Sequence, residues 1–193
     1  MRESEIERKT KETEIKLFIN LDKRGDNEIS TGIDFFDHLL KNFAFHAGIT
    51  LNLSCKGDLE VDGHHSIEDT GIALGQAVKN ALGERRGINR YGNCFFPVDE
   101  SLTHCVIDIS GRPYLRFCMD VSDIEVGNFD GELVEEFFRA FVSHSGITLH
   151  LLLKHGDDSR HMIESVFNSF GVAFRNAAAI TEGNFLPTSK GVF

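Results

Sequence analysis

The sequence predicts a duplicated α/β fold, a two-layer α+β sandwich in which each half is a mostly antiparallel or mixed sheet with two helices on one face. Three observations predict it. First, His46-Ala-Gly-Ile-Thr-Leu-Asn-Leu53 and His144-Ser-Gly-Ile-Thr-Leu-His-Leu151 agree at six of eight positions, 98 residues apart. Upstream, Phe36-Asp-His38-Leu-Leu40 faces Val134-Glu-Glu136-Phe-Phe138 at the same offset. Downstream, His64-His65-Ser-Ile67-Glu68 resembles Arg160-His161-Met-Ile163-Glu164 once two residues are dropped. Second, stretches of helical and strand periodicity alternate within each half. Third, turn residues between neighbouring strands suggest hairpins, which place helices on one sheet face. One domain over 1–193 is therefore expected, built of repeats 1–92 and 93–193.

The elements follow in order. Glu14–Leu21 alternates as a strand. Asp34–Ala47 carries an apolar stripe at 35, 36, 39, 40 and 43 and stops at Gly48, as a helix does. Ile49–Cys55 is the next strand, and Ser66–Leu82 a longer amphipathic helix opened by the His/Glu block. In the second half, Cys94–Pro97 and Ser101–Ile109 read as strands. Tyr114–Val121 follows as a hairpin partner across Ser110-Gly-Arg-Pro113. Glu132–Ser145, Ile147–Leu153 and Met162–Ala179 then repeat helix, strand and helix.

Composition sets limits. A hydrophobic share of 41% is enough to fill a core, and the 17 phenylalanines make that core aromatic. A net charge of −10 argues against coating nucleic acid or an anionic membrane. No apolar run is long enough to span a bilayer. The charged start Met1-Arg-Glu-Ser-Glu5 is no secretory signal, so a cytoplasmic protein is expected. Cys55, Cys94, Cys105 and Cys118 lack CxxC spacing and read as reduced thiols.

The densest chemistry is Asp62-Gly-His64-His65-Ser-Ile-Glu68-Asp69. On a helix starting near His64, His64 and Glu68 share a face, while His65 points about 100° away and would serve a different metal. Imidazole with carboxylate and no thiolate favours manganese, iron or zinc. A single block of this kind can equally be a helix start with glutamate near the positive dipole. Its recurrence at His161 and Glu164, with His38 and Glu136 at matching upstream positions, favours metal. His46 and His144 end helices before glycine and suit a structural role. Arg85, Arg86, Arg90, Arg112 and Lys190 could form one phosphate pocket. Spacing alone leaves that and an unrelated set of surface cations equally open. Dinucleotide, P-loop, hydrolase-elbow and zincin motifs are absent from the sequence.

Read together, several motifs resemble the imidazoleglycerol-phosphate dehydratase family. They are Arg8-x-Thr10-x-Glu12-Thr13, Phe36-Asp-His38-Leu, the His64 block, Asn89-Arg90-Tyr-Gly92, Asp108-Ile-Ser-Gly-Arg112-Pro-Tyr, Leu133-Val-Glu-Glu-Phe-Phe138, Thr148-Leu-His150 and Ser189-Lys190-Gly191. The resemblance implies a hydro-lyase of histidine biosynthesis that dehydrates imidazole-glycerol phosphate. It also implies a homo-oligomer of 24 subunits, with two Mn(2+) ions per active site at subunit contacts. By position it assigns His64, Glu68, Glu136 and His161 to one ion, and His38, His65, the place of Arg160, and Glu164 to the other. Glu12 becomes the catalytic acid–base group and a substrate contact, with Arg90, Arg112, Ser189 and Lys190 as further substrate contacts. Two residues depart from the family: position 136 carries glutamate where the family has histidine, and position 160 carries arginine where the family has a second histidine. Arginine has no lone pair for a metal. The second ion is then weakly held, or Asp157 or Asp158 moves in. The competing classes are a relative whose metals serve subunit assembly without turnover, and a metal-dependent phosphate-ester hydrolase.

Overall fold

A computed structural model describes residues 1–121, 124–127, 129–189 and 191. The chain opens with a strand that periodicity did not predict, β1 (Glu3–Lys9). Its outward residues Glu3, Glu5, Glu7 and Lys9 are exposed, and it lies at a sheet edge. Charge there discourages pairing with another chain, and it leaves Ile6 as the strand's lone apolar signal. In β2 (Thr13–Asn20), Ile15, Leu17 and Ile19 point inward and are buried, while Glu14 and Lys16 point out. After β3 (Ile29–Ser30) come α1 (Asp34–Ala47), β4 (Thr50–Gly57) and α2 (His64–Leu82).

The order then repeats. β5 (Tyr91–Val98), β6 (Ser101–Asp108) and β7 (Tyr114–Cys118) precede the two-residue strands β8 (Glu125–Val126) and β9 (Phe129–Asp130). α3 (Glu132–Ser145), β10 (Thr148–His155) and α4 (Ser159–Ala178) complete the chain. The main sheets run β1-β2-β4-β3 and β5-β6-β10-β7, the same topology twice. In each, the last two strands are parallel and joined through a helix, α1 or α3. α1 and α3 match their expected bounds and end at Gly48 and Gly146, both at φ 70 in the left-handed region.

The expected hairpin of Tyr114–Val121 with Ser101–Ile109 does not form. β6 pairs with β10, placing Asp108 opposite Thr148, and β7 lies on the far side of β10 with Tyr114 opposite Thr148. The turn Ser110–Pro113 ends a strand without choosing its partner. The β7–α3–β10 crossover makes that choice by inserting β10 between the two.

α1 packs on α4 and α2 on α3, so the helices of both halves lie between the sheets. Their faces interlock through phenylalanine: Phe43 stacks on Phe170 at 4.7 Å, and Phe36 meets Phe137 edge-on at 5.4 Å. Glycine lets backbones touch at two equivalent points. A Cβ at Gly75 would lie 2.6 Å from the Phe141 carbonyl and 3.1 Å from the Ser145 nitrogen. At Gly171 it would lie 2.7 Å from the Phe43 carbonyl and 3.1 Å from the Ala47 nitrogen, the same contact carried into the other half. All four cysteines are free thiols, and burial pushes those of Cys55 and Cys105 up in pKa. No helix among the described residues is long and apolar enough to cross a membrane.

Candidate active site

The first turns of α2 and α4 carry the titratable clusters. Each first turn is fastened by an aspartate: Asp62 accepts from the His64 backbone N–H at 2.8 Å, and Asp158 from that of His161 at 3.0 Å. Asp158 is therefore a helix cap, and the backbone N–H groups of Asp157 and Asp158 both donate to Glu100. Asp158 thus spends one carboxylate oxygen on the cap.

His64 and Glu68 meet on one face of α2, Nε2 to Oε2 at 3.6 Å, as their spacing predicts. Glu136 on α3 lines a cavity of about 470 Å³ with His64 and a neighbouring one of about 210 Å³ with Glu68. Three donors thus surround one seam between α2 and α3. The equivalent seam between α1 and α4 holds His38, Glu164 and Arg160. His38 Nε2 lies 3.3 Å from Glu164 Oε1, and the Arg160 guanidinium lies 3.7 Å from the same oxygen and 4.9 Å over the Phe35 ring.

His65 and His161 point away from these seams. The His65 Nδ1–H donates to Asp58 at 3.0 Å, and the His161 Nδ1–H to Glu100 at 2.9 Å. A carboxylate only accepts, so both rings carry Nδ1–H and present Nε2 outward. These bonds raise both histidine pKa values, with Asp58 and Glu100 as the largest causes. Glu100 is held well below the usual carboxylate range, chiefly by the Asp158 backbone N–H and then by His161. Such carboxylate–histidine pairs fix the tautomer of metal-binding imidazoles. Glu12 Oε1 lies 3.8 Å from His65 Nε2 at the β1–β2 turn. That turn is tied to α2 by Asp69, which accepts from Thr13 at 2.5 Å and from Arg8 at 2.7 Å.

Asp58 and Glu100 are the site residues that sequence reasoning missed. Glu100 precedes β6 as Glu12 precedes β2, but at an offset of 88 residues instead of 98, so comparison at one fixed offset passes over it.

Within one chain the expected ligand sets do not close. Among the described residues no three His, Cys, Asp or Glu side chains converge closely enough to hold an ion. The substrate contacts are further off. Arg90 donates its backbone N–H to the Ala177 carbonyl at the C-terminal end of α4, whereas His161 lies in the first turn. The 16 residues from 161 to 177, at about 1.5 Å each, separate them by roughly 24 Å along the helix. The Arg90 guanidinium pairs with Asp108 at 2.7 Å and donates to the Pro187 carbonyl at 2.8 Å, anchoring the tail. Arg112 is exposed, 3.9 Å from Asp108, and Ser189 is exposed nearby in sequence; Lys190 lies outside the described residues.

The donors suit a divalent ion at one seam. By donor type, His64, Glu68 and Glu136 supply nitrogen and oxygen, and Arg139 beside them pairs with Glu135, although the three do not close on an ion within one chain. The seam of His38 and Glu164 does not fit, because Arg160 already engages its carboxylate.

The family profile of imidazoleglycerol-phosphate dehydratase matches residues 31–174. The chain belongs to the imidazoleglycerol-phosphate dehydratase family. A curated relative of that name from Exiguobacterium is 47% identical over 99% of this chain and 98% of its own length. One from Acetivibrio thermocellus is 51% identical over 91% and 90% respectively. The crystal structure of the Staphylococcus aureus dehydratase superposes with a TM-score of 0.85 at 38% identity, covering 93% of this chain and 99% of that one. The Pyrococcus furiosus structure gives 0.83 at 34%, covering 97% and 100%. Family membership and the duplicated sandwich thus agree over nearly the whole chain.

Proposed function

We propose that this chain is an imidazoleglycerol-phosphate dehydratase of histidine biosynthesis, removing water from imidazole-glycerol phosphate to give imidazole-acetol phosphate. The observation that carries this reading is the approach of Glu12, on the β1–β2 turn, to His65 Nε2 at 3.8 Å beside the His64–Glu68 pair, which sets a base against metal donors at the start of α2. The reading makes His64, Glu68 and Glu136 of one copy and His161 of another the holders of a divalent ion, manganese by resemblance. The resemblance also names His38, His65 and Glu164 as donors for a second ion, and Arg160 on the Glu164 carboxylate speaks against one there. A bound ion supplies a Lewis acid beside the imidazole ring.

Glu12 takes the barely acidic C–H proton as general base and returns a proton to the departing hydroxyl. His65, locked by Asp58, keeps Nε2 turned toward Glu12. Arg112, Ser189, Lys190 and the Asp108-braced Arg90 of another copy hold the phosphate away from the reacting carbons. The roughly 24 Å between Arg90 and His161 in one chain supports a site shared between copies, in a cytoplasmic homo-oligomer of 24 subunits. The single domain of repeats 1–92 and 93–193 is part of the same reading.

Incubating the manganese-loaded full chain with imidazole-glycerol phosphate tests it by mass spectrometry. A product lighter by one water is expected. Release of inorganic phosphate would point to the hydrolase class, and unchanged substrate to an assembly-only relative; either result sinks the reading.

A further inference from the structure

The duplication gives each chain two equivalent seams, and their charges have diverged. His38 on α1 corresponds to Glu136 on α3, 98 residues on; His64 and Glu68 on α2 correspond to Arg160 and Glu164 on α4, 96 residues on. The α2–α3 seam therefore holds two carboxylates and an imidazole, with the nearby Arg139 occupied by Glu135. The α1–α4 seam holds one carboxylate, one imidazole and one guanidinium. Two negative charges match a divalent cation. The other seam is already neutral.

The guanidinium is also held in place. It reaches Glu164 Oε1 at 3.7 Å from one turn back and lies 4.9 Å over the Phe35 ring, which attracts a cation to its face. The same oxygen faces His38 Nε2 at 3.3 Å, so the cation is on the atom an incoming ion would need. A fixed positive charge repels a second one, and arginine offers no lone pair in compensation.

We propose that Arg160 takes the place of a second divalent ion, so that one ion is bound per subunit, at His64, Glu68 and Glu136 completed by His161 of another copy. The guanidinium then serves as the permanent cation of the α1–α4 seam. This rests on the reading above that the α2–α3 seam holds a metal.

Manganese bound to the full-length protein, measured by elemental analysis after equilibrium dialysis, tests the proposal without reference to turnover. One ion per subunit is expected in the wild type, two in Arg160→His, and none in Glu68→Ala. Two ions in the wild type would overturn the proposal and leave the metal reading standing. One ion in both the wild type and Arg160→His would show that Arg160 is not what excludes the second, which also overturns it. No ion in the wild type would overturn the metal reading and the proposal together. If Arg160→His fails to fold, Arg160→Ala decides: a second ion bound at raised manganese supports the proposal, and a single ion at every concentration overturns it.

Discussion

Glu100 holds His161 by Nδ1 as Asp58 holds His65, and in both cases the bond leaves Nε2 to face outward. Carboxylate partners of this kind contribute about 10–100-fold to metal affinity. Glu100→Ala should therefore weaken manganese binding by about that factor, with occupancy recovered at higher manganese. The pH profile separates this from general damage. A metal needs the neutral imidazole, and Glu100 raises the His161 pKa, so affinity should fall as pH drops from above the ordinary histidine value of about 6.5. In the variant that fall should begin at lower pH. In metal-free protein the raised pKa acts on stability in the opposite sense: the His161–Glu100 contact stabilises fully below the unfolded-state value and fades as pH rises through the folded-state one. An unchanged manganese titration in Glu100→Ala would refute this role. The histidines and Glu68 were legible because helical spacing shows which side chains share a face. Asp58 and Glu100 were not, because a loop partner reaches its histidine through tertiary packing that no local period encodes.

The helices carry the strongest constraint at the scale of elements. Gly75 and Gly171 let α2 and α4 approach the backbones of α3 and α1, and a methyl group at either would sit under 3 Å from a carbonyl oxygen. In an exposed helix, glycine to alanine stabilises by roughly 1 kcal/mol. Here overpacking costs about 1–3 kcal/mol, so the sign should reverse. Gly75→Ala and Gly171→Ala should both lower the urea midpoint, and by similar amounts, since the two contacts are images of each other. A raised midpoint in either would contradict the packing described. α1 and α3 could be placed in the sequence to the residue, because an apolar stripe runs along each and a glycine in left-handed backbone stops its C-terminal end. β1 and the partner of β7 could not. A charged edge strand hides its alternation, and strand order is set by crossovers that link residues far apart in sequence.

At the scale of the whole molecule, the repeat and the family motifs revealed the duplicated fold, but not how far one chain falls short of a complete site. His161 and Arg90 stand at opposite ends of α4, and among the described residues no three ion donors converge closely enough to hold an ion. On the proposed reading a catalytic site needs donors from a second copy, and mixing defective copies tests this most directly. Glu68→Ala removes a donor from the α2–α3 seam, and His161→Ala removes the donor that the partner is proposed to bring. Each variant alone should lack dehydratase activity. Co-assembled at equal ratio, they should recover about a quarter of wild-type activity per subunit, the share of sites that random mixing leaves with both donors intact. No recovery, in mixed particles shown by mass to contain both variants, would contradict a site built between copies.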